Sequence, residues 1–256
     1  MSAMTVASDV RSINSDDIVA STSEGAYHII RGLFDPEEIR RSLHDVRERV
    51  LVENDAPSSG TRPDQIMDNF QKWSIGMKSA KDTLGRFFRI VYNLLWCDDI
   101  YGMHRHFRKL IEIRNQLSGM PLDFAKQMEN GNLYSACRMQ HYPQGGGFMQ
   151  AHQDHVAEAN LVGSEQSRFI QLVLIMNEVG PGKDYEAGGA FVIDKAGRKI
   201  ATEQNTAPGD VVIYDGRSVH GVDDVDPHKL LDITLKTGRI AAFTTIYKKW
   251  DSSLCA

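Results

Sequence analysis

Three side chains of this sequence could together hold a metal ion. His152 and Asp154 lie in Gln150-Ala151-His152-Gln153-Asp154-His155, and His220 lies far downstream in Arg217-Ser218-Val219-His220-Gly221-Val222. Two imidazoles and one carboxylate suit a divalent iron that must keep coordination positions open. The His-x-Asp spacing fits a β-strand, where residues i and i+2 share a face, so His152 and Asp154 converge while Gln153 turns away. The third ligand must then come from another strand laid alongside. A bare His-x-Asp is weak evidence, and its weight depends on the elements that would position it.

From Asn132 onward the sequence supplies such elements. Strand patterns recur at Leu133–Tyr142, Phe169–Met176, Gly189–Asp194, Asp210–Asp215, Lys229–Leu235 and Arg239–Tyr247. Gly180-Pro181-Gly182, Lys195-Ala196-Gly197 and Pro208-Gly209 punctuate them, the pattern of a sandwich or barrel. Before Asn132 the signals are mostly helical. A strand over Ala26–Phe34 breaks at Asp35-Pro36-Glu37-Glu38, a helix start with Asp35 as cap and Pro36 in the first turn, and the helix runs to about Val52. Asn54–Pro63 reads as a surface loop. Gln65–Lys78 has no clean period and reads as an irregular segment over the core, or as a lid whose Trp73 walls a substrate. Helices are expected over Lys81–Trp96 and Ile100–Leu117, the second with His104 and His106 on a solvated basic face. Residues two apart on a helix diverge, so that His-x-His is a poor chelate.

Composition narrows the classes. A chain of 256 residues with 41% hydrophobic and 25% charged residues is ordinary for a globular protein. A net charge of -5 argues against a nucleic-acid scaffold. Cys97, Cys137 and Cys255 form neither a disulfide framework nor a zinc site, and a cytoplasmic location is expected. No apolar run is long enough to span a membrane. Met1–Glu24 is polar and Ser-rich, without the apolar stretch of a signal peptide, and reads as a loosely ordered lead-in.

Several pieces recur in an order that resembles the iron(II)- and 2-oxoglutarate-dependent dioxygenases, nearest to their prolyl-hydroxylase-like and small-molecule hydroxylase branches. These are Arg138-Met139-Gln140-His141-Tyr142-Pro143, then His152-x-Asp154, a hydrophobic strand ending in Met176-Asn177-Glu178, and Gly188-Gly189-Ala190-Phe191. Pro208-Gly209-Asp210-Val211-Val212-Ile213-Tyr214 precedes His220, and Arg239 opens a last strand. The resemblance covers about Cys137 to Tyr247. It implies an α+β fold, with a double-stranded β-helix (jelly-roll) core and a helical N-terminal layer packed against it. The expected organisation is one domain over 1–256, with a lead-in over 1–24 and mainly helical support over 25–130. A catalytic core over 131–247 and a tail over 248–256 complete it.

The resemblance further implies iron(II) on His152, Asp154 and His220, with 2-oxoglutarate and oxygen as co-substrates. Arg239 is expected to anchor the far carboxylate of 2-oxoglutarate, because a guanidinium fork suits bidentate binding. Alternation puts Arg239, Ala241, Phe243 and Thr245 on one face. Arg239 lies nineteen positions after His220, further than is common in the family, and Lys229 is the nearer alternative; Asp223–Pro227 and Lys236–Gly238 account for the extra length. Tyr142 and Gln140, on one strand face with Arg138, are expected to hydrogen-bond 2-oxoglutarate. Arg138 either meets an anionic part of the substrate or forms an internal ion pair. No aromatic late in Phe169–Met176 is available to hold the co-substrate.

A halogenase of this superfamily would carry a small residue in place of Asp154, so hydroxylation of an unactivated C–H bond is favoured, with release of succinate and carbon dioxide. The expected substrate is a small molecule, an amino acid or a biosynthetic intermediate, with no nucleic-acid or membrane partner. A peptide or protein hydroxylase, and a cupin-type metal-binding jelly roll without 2-oxoglutarate, remain the alternatives.

Overall fold

The computed structural model describes residues 3–22, 26–52, 66–76, 84–128, 132–155 and 168–249. In chain order its elements are β1 (Ala3–Val6), α1 (Ser15–Ser21), β2 (Tyr27–Arg31), α2 (Pro36–Val52), β3 (Phe70–Gly76), β4 (Arg86–Tyr92) and α3 (His104–Ser118). There follow β5 (Leu133–Tyr142), β6 (Gly147–His152), β7 (Ile170–Ile175), β8 (Gly189–Ile193), β9 (Lys199–Ala201), β10 (Val211–Asp215), β11 (Val219–Val225) and β12 (Arg239–Lys248). The strands form two rows. β2, β10, β7, β12 and β5 make the first, with β1 parallel to β2 at its edge, and β6, β11, β8 and β9 make the second. β4 links the rows, pairing with β5 through Arg89–Tyr92 and with β6 through Arg86–Phe87, while β3 pairs with β4. From β5 to β12 the chain crosses between rows at almost every step, the path of a double-stranded β-helix.

Period-two alternation decides what each strand of the first row presents to either side. Cys137 and Met139 of β5, Leu172 and Leu174 of β7, Val211 and Ile213 of β10, and Ile240 and Ala242 of β12 join one buried cluster with Phe107, Leu110 and Ile111 of α3 and Ile39, Leu43 and Val46 of α2. The intervening residues Arg138, Gln140, Tyr142, Gln171, Val173, Tyr214, Arg239, Phe243 and Thr245 line a cavity between the rows. One face is therefore glued to the helices and the other is left for chemistry. The α2 start follows its sequence: the Asp35 carboxylate accepts the Glu37 backbone N–H at 2.9 Å. α3 is capped by Asp99, which accepts from Met103 N at 2.8 Å, and ends at Gly119 in the left-handed conformation that glycine takes without strain.

Several expectations for the N-terminal half are corrected. The lead-in holds β1 and α1, because Ala7, Val10, Ile13 and Ile18 anchor it in the core despite its polar composition. The expected helix over Lys81–Trp96 is β4, since pairing with β3, β5 and β6 overrides helical spacing of the apolar residues. The segment around Trp73 is regular, forming β3; residue 65, residues 77–83 and the loop over 54–63 lie outside the described residues. The 25–130 region thus contributes strands as well as helices. His104 and His106 are buried, not solvated, and His106 Nε2 meets Ser42 Oγ at 2.9 Å. Lys229–Leu235 is not a strand; only a bridge between Asp232 and Gln144 pairs it. Cys97 and Cys137 are free thiols. No helix among the described residues is long and apolar enough to cross a membrane.

Candidate metal centre

The register of one strand pair builds the cluster. β6 and β11 run antiparallel with His152 directly opposite His220, so both imidazoles leave the same face, their ring centroids 4.4 Å apart. Asp154 follows just past the end of β6, with its carboxylate on the same side as His152; its Oδ1 lies 3.5 Å from His152 Nε2 and its Oδ2 3.6 Å from His220 Nε2. The three ligand atoms all lie within 4.8 Å of one another. Gln153 turns away and donates to the Arg217 carbonyl at 2.6 Å. Both histidines are oriented from behind: His152 Nδ1 meets the Gln150 carbonyl and His220 Nδ1 the Ser218 carbonyl, each at 2.9 Å. Donation from Nδ1 leaves each Nε2 lone pair aimed at the centre.

The electrostatics also suit a cation. Burial opposes charge on Asp154, but the hydrogen bond from His152 and the charges of His220, His152 and Arg138 hold its carboxyl below the usual range. Burial keeps His220 below the ordinary imidazole value. Gln171 on β7 donates to Asp154 Oδ2 at 2.5 Å and fixes the carboxylate. Two imidazole nitrogens and one carboxylate oxygen, held on one side, are the donor set of an open iron(II) site. Gly221 lets this corner close up: a Cβ there would stand 2.6 Å from the Met149 carbonyl oxygen and 2.7 Å from the Phe191 ring.

At the start of β12 the structure departs from the expected use of Arg239. Its Nε and Nη2 edge is taken by Glu203, at 2.8 Å and 2.6 Å, in a fully buried bidentate pair. Glu203 also accepts from Tyr185 Oη at 2.8 Å and from Ala190 N at 3.0 Å. The two-pronged face expected to grip 2-oxoglutarate is thus occupied by the protein's own carboxylate. What remains is Nη1, a buried donor with no acceptor among the described residues, on a residue that lines the cavity. A single carboxylate oxygen of a co-substrate fits that donor. Burial opposes charge on Arg239, yet Glu203 keeps it firmly protonated. Tyr142 packs beside it, ring centre 5.1 Å from the guanidinium carbon, and donates to Gln140 Oε1 at 3.1 Å. Lys229 is elsewhere, in ion pairs with Asp226 at 3.1 Å and Glu186 at 3.4 Å, and does not line the cavity.

The cavity measures about 590 Å³ and contains all three cluster residues together with Arg239, Tyr142, Gln140, Arg138 and Trp73. Trp73 stacks on Phe87 at 5.4 Å and carries the Arg89 guanidinium 4.6 Å above its ring. His155 is exposed, and His141 points to the helix side, its Nε2 meeting the Thr237 carbonyl at 2.8 Å. Sequence reasoning missed Glu203 and Gln171. A lone glutamate between strands carries no motif, whereas Gln171 could have been found as the polar residue in an otherwise apolar strand.

Residues 137–245 match the family model described as the 2OG-Fe(II) oxygenase superfamily. Among solved structures, the fold resembles a prolyl hydroxylase from Trichoplax adhaerens in complex with a hypoxia inducible factor peptide fragment. That pair shares 13% identity at a TM-score of 0.53, covering 94% of this chain and 92% of the other. EctD from S. alaskensis, with 2-oxoglutarate and 5-hydroxyectoine, is similar at 14% identity and a TM-score of 0.53, covering 92% and 76%. The epimerase SnoN of nogalamycin biosynthesis follows at 11% identity and 0.52, covering 91% and 82%. No curated protein matches by sequence. The matched segment runs from β5 to β12, a little under half of the chain, and takes in the whole His152, Asp154 and His220 cluster, so this core carries the fold and the metal-ligand set of the 2OG-Fe(II) oxygenase model.

Proposed function

We propose that the protein hydroxylates an unactivated C–H bond of a small molecule, converting 2-oxoglutarate to succinate and carbon dioxide. The catalytic core is 131–247. In this reading His152, Asp154 and His220 hold the iron, whose chemistry with oxygen and 2-oxoglutarate supplies the oxidising power. Arg239 Nη1 receives the far carboxylate of 2-oxoglutarate, with Tyr142 and Gln140 beside it. Trp73 and Arg138 face the substrate. Asp154 fills the position that a halogenase leaves free, which favours hydroxylation.

The observation that carries the small-molecule reading is the cavity itself, about 590 Å³ with Lys72, Trp73, Ser74 and Ile75 of β3 forming one wall. A peptide would need an open groove at that wall. Structural relatives include enzymes of both kinds, so the reading rests on the wall and not on them. A cupin-type jelly roll without 2-oxoglutarate gives way to the family match.

Anaerobic addition of iron(II) and 2-oxoglutarate should produce the weak visible charge-transfer band of a chelated 2-oxo acid. A succinate-release screen across amino acids and biosynthetic intermediates should then find a small-molecule substrate. Turnover with peptides alone would overturn the small-molecule assignment, and absence of the band would remove the iron and co-substrate site.

A further inference from the structure

Besides Arg239, the cavity is lined by a second buried arginine, Arg138. Arg138 of β5 is only 8% exposed, yet among the described residues it forms no ion pair. Its Nη1 donates to the Ala136 carbonyl and its Nη2 to Thr245 Oγ1, each at 3.1 Å, both neutral acceptors. Phe243 and Tyr247 pack their rings 5.4 Å and 5.3 Å from its guanidinium carbon. Those contacts fix the plane of the side chain while leaving Nε–H and further Nη protons available. A buried guanidinium whose hydrogen-bond acceptors are all neutral keeps donors free for an anion.

No carboxylate lining the cavity pairs directly with Arg138 among the described residues. Asp154 is the only acidic lining residue among those described, and it belongs to the metal cluster. The rest of this wall has the same sign: Lys72 and Arg86 also line it, and the Lys72 ammonium is held below its usual pKa by burial first and then by Arg86 and Arg138. Arg138 sits opposite Phe243, four residues along β12 from Arg239, a backbone separation of roughly 13 Å at about 3.3 Å per residue. A five-carbon dicarboxylate that chelates the metal through one end has only its other end left for one of the two arginines. The cavity therefore presents two anion positions along β12's inward face, with Asp154 of the metal cluster close enough to Arg138 to act on its charge.

We infer that Arg138, steadied by Thr245, Phe243 and Tyr247, binds a carboxylate of the primary substrate, so that the enzyme acts on a carboxylic acid with an apolar body. The planar fork suits a carboxylate, and Trp73, Phe88 and Tyr92 give the cavity an aromatic wall for the remainder. This deepens the oxygenase reading above and rests on it.

The test uses the full chain loaded anaerobically with iron(II) and 2-oxoglutarate. It is titrated with 3-phenylpropionate, indole-3-acetate and N-acetyl-phenylalanine, each beside its primary amide, with binding followed calorimetrically. At least one acid should bind about tenfold or more tightly than its amide, and Arg138→Gln should erase that preference while Arg138→Lys retains part of it. Acids binding no tighter than amides, or a preference that survives in Arg138→Gln, would overturn the assignment. The 2-oxoglutarate charge-transfer band is recorded on every sample. Its presence in Arg138→Gln shows an intact fold and co-substrate site, whereas its loss there would make Arg138 the co-substrate anchor and also overturn the inference. Failure of the band in the wild type strikes the oxygenase reading instead.

Discussion

His152 and His220 are cross-strand partners, paired directly across β6 and β11 with their Nε2 atoms turned to a common centre. A one-residue slip would send either side chain to the opposite face, so the two imidazoles depend on this register. His220→Ala and Asp154→Ala should each abolish succinate formation, and iron retained after gel filtration should drop below stoichiometric. Tight iron binding by either variant would show that the ligand set lies elsewhere.

Gln171 acts on the metal through Asp154. Gln171→Ala removes the 2.5 Å hydrogen bond to Oδ2 without touching any ligand atom. Iron affinity should weaken about ten- to hundred-fold, as for other supports of metal-binding side chains. Competition with a chromophoric chelator measures it, and Gln171→Asn, too short to reach, should resemble the alanine variant.

The buried pair of Arg239 and Glu203 makes opposite demands on stability and binding. Glu203→Ala would leave a buried guanidinium without its partner, and a loss of about 3–5 kcal/mol in a denaturant melt is expected. Arg239→Ala should lose comparable stability and in addition weaken 2-oxoglutarate binding, read from the charge-transfer band. Lys229→Ala should leave that binding nearly unchanged, since Lys229 pairs at the surface with Asp226 and Glu186. A large loss in the lysine variant would move the anchor away from Arg239.

Stability should fall on acidification below pH 6.5. Burial depresses His106 and His141 to about 4, so each is neutral in the fold but takes up a proton when the chain unfolds. Between pH 6.5 and about 4 the unfolded state binds more protons, and stability therefore rises with pH across that window. Each histidine contributes a slope of up to about 1.4 kcal/mol per pH unit. Denaturant melts across the window should show the slope, and His141→Gln should reduce it.

Much of the jelly roll was legible because its strands carry their own signals. β5, β10 and β12 are short runs rich in apolar, β-branched and aromatic residues set next to glycine or proline turns, so their bounds lie close to those expected. The helix after Asp35-Pro36 was equally plain. The cluster residues could be proposed because His-x-Asp has a geometric meaning on an extended chain. β4 could not be read, since Phe87, Phe88, Ile90 and Val91 are spaced as well for a helix and only pairing with its neighbours decides. Nor could the pairing of Arg239 with Glu203, which depends on a contact between residues 36 apart that no local pattern announces. Arg138 was open between an internal ion pair and an anionic ligand, and its neutral partners favour the second.

Gly221 restricts how this protein can be re-engineered. Its Cα sits where the β11 backbone presses on Met149 and Phe191, and even a methyl would push the strand outward, at about 1–3 kcal/mol for overpacking. Libraries that aim to widen substrate scope should therefore diversify β3, around Trp73, and keep position 221 constant, because change there would reach the neighbouring ligand before it reached the substrate.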